Sequence, residues 1–406
     1  MNLQVLNKFI LVGEVTVVDH LGAAHIFGSG LPKSSIRFNS SNTLSYIMRN
    51  PALNIGEAYI KGMWDVAEGH TLHALMTLLR MNFDARLKPR KSLRWLQIIP
   101  IMVSTWNSLN ASRRNIAHHY DLDEDLFRVC LDQEMHYSCA YFAQPDMSLE
   151  DAQQAKSAHI AAKLNLQPGQ RVLDIGCGWG SLALYLASHY DVEVTGLTLS
   201  VEQLRVAEQT AKALGLENKA RFVLQDYRKH QETYDRVVSV GMLEHVGRRN
   251  LPKFFACVRD FLAPTGVALV HTIGNGYKPG MVNPWIRRHV FPSGYIPGLA
   301  DVAKAIESAD LPATDVEVLR KHYALTLAHW LKRFTLQRDG FVQTKGEAFC
   351  RMWEFYLILC QTGFEMGGLV VHQWQLAKNN QALPLTRDYL YEQADSEQAD
   401  ANVISC

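Results

Sequence analysis

Three glycines at alternate positions, directly after a short apolar run, constrain this chain more than any other feature of its sequence. The run Arg171–Ile175 has the pattern of a buried strand, Gly176, Gly178 and Gly180 follow it, and Leu182–His189 then has helical spacing. Glycine allows a tight turn and a close approach of the backbone to a ligand, and the N-terminus of the next helix favours a negative group. The spacing predicts a cofactor-binding loop; the alternative is a tight strand-to-helix turn without a ligand.

Strand and helix patterns alternate after this loop, which predicts an α/β fold with a parallel sheet and helices on both faces. Residues 274–298 are rich in loops and predict a lid or a substrate-binding insertion. Two long helical patterns follow, His322–Phe334 and Gly346 to about Asn379. The earlier strand patterns cover 192–199, 221–226, 234–243 and 266–273, and the helical ones cover 201–216 and 251–262.

The end of the second predicted strand restricts the choice of cofactor. A dinucleotide-binding fold has an acidic residue there to hold a ribose, whereas Gly196–Ser200 contains no acid. NAD and FAD are therefore disfavoured, and Asp174, just before the glycines, suits the methionine end of S-adenosylmethionine. The sequence thus predicts a Rossmann-like domain that binds S-adenosylmethionine. Ser200 and Gln203 have the spacing of a helix capping box, a role that is compatible with cofactor contact.

Composition sets the outer limits of this interpretation. The net charge of +1 gives no overall field that would attract nucleic acid. Seven cysteines without a CxxC pair disfavour a disulfide framework or a metal site and favour a reducing cytosol, and no segment approaches the ~20 apolar residues of a membrane span. The 406 residues allow a smaller, mainly helical N-terminal domain over 1–115, a catalytic domain over 116–390 and a disordered tail over 391–406.

Two polar side chains follow later strands of the predicted sheet. Glu244 comes after the fourth strand, and His271 lies near the end of the fifth. Because ligands of open α/β sheets bind at the carboxyl ends of strands, both are expected to face the crevice of the glycine loop. The alternatives are a carboxylate at a helix start for Glu244 and a hydrogen-bonded core histidine for His271. Cys139 taken alone is typical of a buried, inert thiol.

At these segments the sequence resembles the cyclopropane-fatty-acid synthase family, from residue 36 to about residue 378. Gly56–Tyr59 resembles the bacterial synthases more than the shorter mycolic-acid enzymes. Ser181 stands where the family often has a second glycine, at a helix start that tolerates serine well. The other matching stretches are His119–Leu122, Tyr137–Tyr141, Val172–Gly180, Gln225–Arg228, Gly241–Gly247, His271–Gly274, Asn283–Ile286 and Phe291–Pro292.

The resemblance implies a Rossmann-like class I methyltransferase domain. It also implies methyl transfer from S-adenosylmethionine to a cis double bond of a phospholipid acyl chain, with a bound bicarbonate ion that removes a proton so that a ring closes. It assigns the side chains of Glu244, His271 and Tyr323, and backbone groups of Cys139 and Ile273, to the bicarbonate. The rings of Tyr137 and Tyr323 would stabilise the intermediate cation. With Asp174, the expected S-adenosylmethionine contacts are Tyr137, Ser138, Gly176, Gly178, Thr198, Leu199, Gln203, Gln225, Asp226 and Tyr227.

A lipid substrate requires a way to reach the membrane. A basic run followed by apolar residues from Trp95 onward suits an anionic surface; the alternative is a solvated loop before a core helix. We expect a lipid-associated N-terminal domain, a homodimer, and a cytoplasmic enzyme held peripherally at the inner face of the cell membrane. The basic run consists of Arg86, Lys88, Arg90, Lys91 and Arg94.

Two other functions are compatible with these motifs. An enzyme of the same fold would methylate the alkene without closing the ring, which gives a methyl-branched or methylene chain. A protein of another class would keep the fold only to bind lipid or cofactor. The intact set of Glu244, His271 and Tyr323 favours catalysis with deprotonation.

Overall fold

The computed structural model describes residues 3–86, 124–277, 280–292 and 294–391. The chain forms two compact units, each assembled from three segments. The described parts of residues 1–104, 281–292 and 324–369 form the first unit, and those of 105–280, 293–323 and 370–406 form the second. The boundary predicted at residue 115, the His119–Leu122 motif and the tail from residue 392 lie outside the described residues.

The elements are numbered in chain order. The described strands are β1 (Gly13–Val18), β2 (Ala24–Ser29), β3 (Lys33–Phe38), β4 (Trp64–Val66), β5 (Arg171–Ile175), β6 (Glu193–Thr198), β7 (Ala220–Leu224), β8 (Tyr234–Val240), β9 (Leu262–Asn275), β10 (Gly280–Met281), β11 (Tyr295–Ile296), β12 (Ala313–Leu319) and β13 (Leu369–Ala377). The described helices are α1 (Thr43–Arg49), α2 (Pro51–Ile60), α3 (Leu72–Arg86), α4 (Glu124–Cys130), α5 (Leu149–Leu164), α6 (Ser181–His189), α7 (Val201–Ala213), α8 (Leu251–Phe261), α9 (Pro284–His289), α10 (Leu299–Glu307), α11 (His322–Lys345) and α12 (Glu347–Met366). Short 3-10 turns cover Leu3–Lys8, Tyr227–Lys229, Leu243–His245 and Arg248–Asn250.

Seven strands form the sheet of the second unit, in the order β12-β13-β9-β8-β5-β6-β7. The neighbours from β9 to β7 pair in parallel, whereas β12 is antiparallel to β13. This sheet, with helices between its parallel strands, confirms the predicted Rossmann-like α/β fold. All five strands predicted from apolar runs are present as β5 to β9.

The strand pair at the other edge of the sheet differs from the prediction. The helical pattern predicted from Gly346 to about Asn379 ends at Met366, and Leu369–Ala377 form β13 instead. From Val371 onward β13 is buried at every position. Gln373–Leu376 alternate polar and apolar residues, which is the period of a strand, and the helical prediction extended across this signal.

Two apolar clusters cover the faces of the seven-stranded sheet. One cluster contains Leu173 of β5 with Phe254 and Phe255 of α8, and the other contains Val172 of β5 with Leu186 of α6. Successive residues of a strand point to opposite faces, so β5 contributes to both clusters. Burial on both sides fixes the strand from which the glycine loop begins.

The first unit contains a sheet that was not predicted beside the expected helices, in the order β2-β1-β3-β4. Helices α9 and α12 belong to this unit, although their residues were predicted to be part of the catalytic domain. Gly56 of α2 shows why: a Cβ there would lie 2.5 Å from Trp285 Nε1 of α9 and 2.7 Å from Phe355 Cε1 of α12. Such packing between distant segments is not visible in local sequence patterns.

Other predictions concern the connections. The predicted insertion at residues 274–298 contains α9 and the short strands β10 and β11, and its role remains a prediction. None of the helices in the described residues is both long and apolar enough to cross a bilayer. The six cysteines of the described residues form no disulfide.

Leu173→Ala tests the packing of the central strand. Leu173 is fully buried, so the lost transfer free energy and the remaining cavity should lower the free energy of unfolding by about 2–5 kcal/mol. The control is Leu214→Ala, because Leu214 is 60% exposed; its effect should stay within about 0.5 kcal/mol. Urea denaturation followed by circular dichroism measures both. Equal destabilisation by the two variants would contradict the packing described.

Candidate active site

The carboxyl ends of β5, β6, β7 and β8 border a cavity in the second unit. Strand order reverses between β5 and β8, the point at which α/β sheets bind ligands. Every residue that the sequence assigned to the cofactor lines this cavity, which brings together four separate loops. These residues are Tyr137, Ser138, Asp174, Gly176, Gly178, Thr198, Leu199, Gln203, Gln225, Asp226 and Tyr227.

Each glycine of the loop adopts a backbone conformation that favours glycine. The φ angles are positive at all three: 84° at Gly176, 57° at Gly178 and 88° at Gly180. A Cβ on Gly176 would lie 2.9 Å from Met242 Cγ, and one on Gly180 would lie 2.8 Å from Phe222 Cζ. No atom lies within 4 Å of a Cβ built on Gly178, which lines the cavity. Gly176 and Gly180 therefore permit close packing, while Gly178 leaves the backbone open to a ligand.

A buried carboxylate and a buried ammonium group lie at the base of the cavity. Asp174 and Lys156 are 2% and 1% exposed, and Lys156 Nζ donates a hydrogen bond to Ser138 Oγ at 3.2 Å. Burial raises the pKa of Asp174 to about 7, an effect that the charge of Lys156 opposes. Burial lowers the pKa of Lys156 to about 8. Near neutral pH, small changes in surroundings therefore change the charge of Asp174.

Loops after β6 and β7 hold the polar groups of the opposite wall. Ser200 caps α7 by accepting from the Gln203 amide at 3.2 Å, as predicted for a capping residue. The Gln203 side chain does not complete the capping box but accepts from Thr198 Oγ1 at 2.9 Å. Asp226 is held by Arg228, whose Nε and Nη2 donate at 2.8 and 2.6 Å.

Asp132 and His136 form a hydrogen-bonded turn just before Tyr137. Asp132 accepts from the His136 amide and from His136 Nδ1, both at 2.8 Å. Ser181, at the start of α6 as expected, donates to the Glu134 carbonyl at 2.5 Å and so ties this segment to the glycine loop. Ligand atoms of Asp132, Glu134 and His136 lie within 4.8 Å of one another. Because the turn already uses the Asp132 carboxylate, we retain the prediction of no metal.

Glu244 and Ile273 contact each other directly, and neither residue lines the cofactor cavity. The Ile273 amide donates to Glu244 Oε1 at 2.5 Å, so this amide is already engaged by a carboxylate. Glu244 Oε2 is buried and has no hydrogen-bond partner among the described residues. Burial raises the pKa of Glu244 to about 7, and the Ile273 amide opposes the rise. His271, two residues earlier on β9, has its pKa lowered to about 3 by burial and by the charges of Lys156 and Lys163.

Cys139 and Tyr323 are linked through their neighbours. The Cys139 thiol is buried and donates to the Ala140 carbonyl, which agrees with the prediction of an inert thiol. The Phe142 amide donates to His322 Nδ1 at 3.0 Å, and the ring of His322 stacks on Tyr141. The Tyr137–Tyr141 block therefore lies beside the start of α11, where Tyr323 is buried. Bicarbonate contact by these residues remains a prediction.

Sequence reasoning missed four residues of this region. Lys156, Arg228 and His245 line the cavity, and Gln373 contacts His271. Lys156 looks like an ordinary charged residue of a helix, and Gln373 lay in a segment assigned to a helix. Arg228 and His245 stand inside matched motifs, so their positions offered a signal that was not used.

Comparisons with known proteins agree with this geometry. The mycolic acid cyclopropane synthetase family matches residues 107–374 of the chain. The cyclopropane-fatty-acyl-phospholipid synthase of Escherichia coli (strain K12) is 36% identical over 356 residues, 88% of this chain and 90% of that protein. A probable fatty acid methyltransferase of Pseudomonas putida is 41% identical over 288 residues, 68% of this chain and 73% of that protein. The structure of mycolic acid cyclopropane synthase CmaA1 with SAH and CTAB has a TM-score of 0.61 and 32% identity, and covers 65% of this chain and 98% of that chain.

Asp174→Asn tests the buried carboxylate through the pH dependence of stability. Unfolded Asp174 loses its proton near the ordinary pKa of 3.8, whereas the folded residue keeps it up to about pH 7. The folded state therefore binds more protons in this window, and its free energy of unfolding falls as pH rises, by up to about 1.4 kcal/mol per pH unit. Asn does not titrate, so the variant should gain stability relative to the wild type between about pH 4 and pH 7. Urea denaturation across this range measures the difference, and a constant difference would refute the assignment.

Proposed function

This chain belongs to the mycolic acid cyclopropane synthetase family and is an S-adenosylmethionine-dependent methyltransferase; from that premise we propose that it is a cyclopropane-fatty-acyl-phospholipid synthase. In this reaction a methylene group is added across the cis double bond of an unsaturated phospholipid acyl chain. The observation that carries the proposal is the match to the Escherichia coli synthase, which extends over 88% of this chain and so includes much of the first unit. CmaA1, by contrast, covers 65%.

The chemistry explains what the site has to provide. An alkene is a weak nucleophile, and its attack on a sulfonium methyl group leaves a cation on the acyl chain. S-adenosylmethionine would supply the methyl group, and bicarbonate would accept the proton whose loss closes the ring. The protein has to hold both groups and keep strong nucleophiles away from the cation. The buried Cys139 thiol, bonded to the Ala140 carbonyl, and the neutral His271 are consistent with that requirement.

The residues around Glu244 fit a small anion that carries one proton. Glu244 Oε2 is a buried acceptor without a partner in the described structure, so it suits a hydroxyl donor. Burial raises the pKa of Glu244 to about 7, so the carboxyl group takes up a proton near that pH; Oε2 would then donate to an anion oxygen instead of accepting from a hydroxyl group, and the repulsion between two negative charges is removed. In this proposal Glu244, His271 and Tyr323 bind bicarbonate, while Ile273 contributes by orienting Glu244 through its amide.

A second function has specific support. The relative from Pseudomonas putida, named a probable fatty acid methyltransferase, is 41% identical over 288 residues. Methylation without ring closure would give a methyl-branched or methylene chain. The two functions differ only in how the cation is resolved, so the product rather than substrate loss has to be identified.

The test is incubation of purified protein with S-adenosylmethionine and vesicles of a cis-unsaturated phospholipid. We expect acyl chains that gain one CH2 by mass spectrometry, lose their vinyl proton signals and show the strongly upfield methylene protons of a cyclopropane by NMR. Retained vinyl-type protons on a chain that has gained one CH2 would identify a methylene or methyl-branched unsaturated product, in which the cation loses a proton without ring closure, and would favour the second function. Unchanged lipid would refute both.

Glu244→Gln is the matched variant in this assay. It keeps the size of the side chain but removes its acid–base function, so we expect product formation to fall by about 10²-fold or more. Calorimetry should show unchanged S-adenosylmethionine binding, since Glu244 does not line the cofactor cavity. Full activity of this variant would remove the anion-site assignment.

We also propose that the enzyme acts as a homodimer at the inner face of the cell membrane, where its substrate lies. The basic run begins at Arg86, whose backbone ends α3, and its other members, Lys88, Arg90, Lys91 and Arg94, lie outside the described residues. Basic groups near an anionic surface contribute about 1 kcal/mol each. Replacing all five with Ser should therefore abolish sedimentation with anionic vesicles, while Arg86→Lys, Arg90→Lys and Arg94→Lys together should retain it. Unchanged binding of the Ser variant would exclude this run as the contact.

A further inference from the structure

A row of hydrogen-bonded polar side chains leads from the edge of the seven-stranded sheet to His271. Gln373 Nε2 lies 3.1 Å from His271 Nδ1, and Lys163 Nζ lies 2.7 Å from Gln373 Oε1. Lys163 also donates to Glu317, which accepts from His159 Nε2 at 2.6 Å. Lys163 and Gln373 are each 1% exposed. The side chains beyond His271 do not line the cofactor cavity, and the proposed reaction does not use them.

The sheet itself brings this row together. Glu317 of β12 and Gln373 of β13 are direct partners in the antiparallel register, so their side chains lie on the same face. Lys163, near the end of α5, reaches both of them. A second hydrogen bond, from Gln375 Nε2 to the Lys163 carbonyl at 2.5 Å, holds the helix end to the same strand.

The chemistry of Lys163 determines the orientation of the Gln373 amide. An ammonium group has three donors and no acceptor, so the amide oxygen has to face Lys163. The amide NH2 group then faces His271 and can only donate. Nδ1 of His271 therefore has to accept, which places the ring proton on Nε2.

We infer that Lys163 and Gln373 are positioning residues that hold His271 in the tautomer with its proton on Nε2. This inference rests on the proposed function for its purpose: an Nε2–H donor can bind an anion oxygen, whereas an Nε2 lone pair would repel it. The opposite tautomer would need an acceptor at Nδ1, and the Lys163–Gln373 pair excludes one.

Glu317 stabilises the charged form of Lys163. Burial lowers the pKa of Lys163, and the carboxylate of Glu317 opposes that change. Burial alone would raise the pKa of Glu317, but the hydrogen bond from His159 and the charge of Lys163 lower it to about 2. The ion pair between Lys163 Nζ and the Glu317 carboxylate favours the ammonium form, which donates to Gln373 Oε1.

The direct test is 15N NMR of protein labelled in its histidine rings, because protonated and unprotonated ring nitrogens differ widely in chemical shift. His271→Asn identifies the His271 signals by their loss. We expect the wild type to show a protonated Nε2 and an unprotonated Nδ1. A protonated Nδ1 in the wild type would overturn the inference. This readout needs no turnover, so it is independent of whether the proposed reaction occurs.

Gln373→Glu reverses the predicted polarity. A carboxylate still accepts from Lys163, but it also accepts from His271 and should draw the ring proton to Nδ1. We expect the NMR signature to invert and turnover to fall by about 10- to 100-fold, with cofactor affinity unchanged. The matched control is Gln375→Glu, two residues along the same strand, where the amide bonds the Lys163 carbonyl and the Tyr389 hydroxyl rather than His271; His271 should keep its tautomer there.

Lys163→Met provides a second variant, and Lys163→Arg its conservative partner. Without the ammonium group the Gln373 amide is free to turn over, so the methionine variant should show mixed tautomers and reduced turnover, and arginine should restore both. If His271 keeps a protonated Nε2 in both Gln373→Glu and Lys163→Met, the positioning role is wrong. Loss of turnover without a change of tautomer would equally contradict it.

Discussion

The parallel pairing of β8 with β5 on one side and with β9 on the other determines where Asp174, Glu244 and His271 lie. In this register Asp174 pairs with Val238, and Val240 pairs with His271. The glycine loop follows β5 and Glu244 follows β8, so both emerge at the edge where β9 carries His271 and Ile273. The hydrogen bond between Glu244 and the Ile273 amide is a consequence of that alignment.

The parts of the fold that could be predicted from the sequence are those that short, local segments determine. The glycine loop, the apolar runs of β5 to β9 and the cap at Ser200 each depend on a few adjacent residues. Lys156 and Gln373 could not be found in this way, because their roles come from burial beside Asp174 and His271, which are distant in the chain. The segment 324–369 joins the first unit for the same reason: its packing partners on α2 and α3 are hundreds of residues away.

Buried ionisable groups in the second unit oppose its folding. Burial shifts the pKa of Asp174, Glu244, Lys156 and His271 toward the neutral form, and each shift reflects the free-energy cost of taking an ionisable group out of water. The two apolar clusters on the faces of the sheet offset this cost. The ionisable groups lie near the carboxyl ends of the strands, beside these clusters. Such a concentration of perturbed groups is typical of functional sites rather than of structural ones.

The position of β13 determines how late the seven-stranded sheet can be completed during translation. This strand lies between β9 and β12, yet it is synthesised after both and after the whole of α11 and α12. During translation, therefore, β12 has no strand to pair with and β9 has an open edge, which is a hazard for aggregation in any sheet protein. Gln373 arrives with β13, so His271 receives its hydrogen-bond partner only after α12 has been synthesised. The growing polypeptide can thus form the strands that border the cofactor crevice well before Gln373 can contact His271.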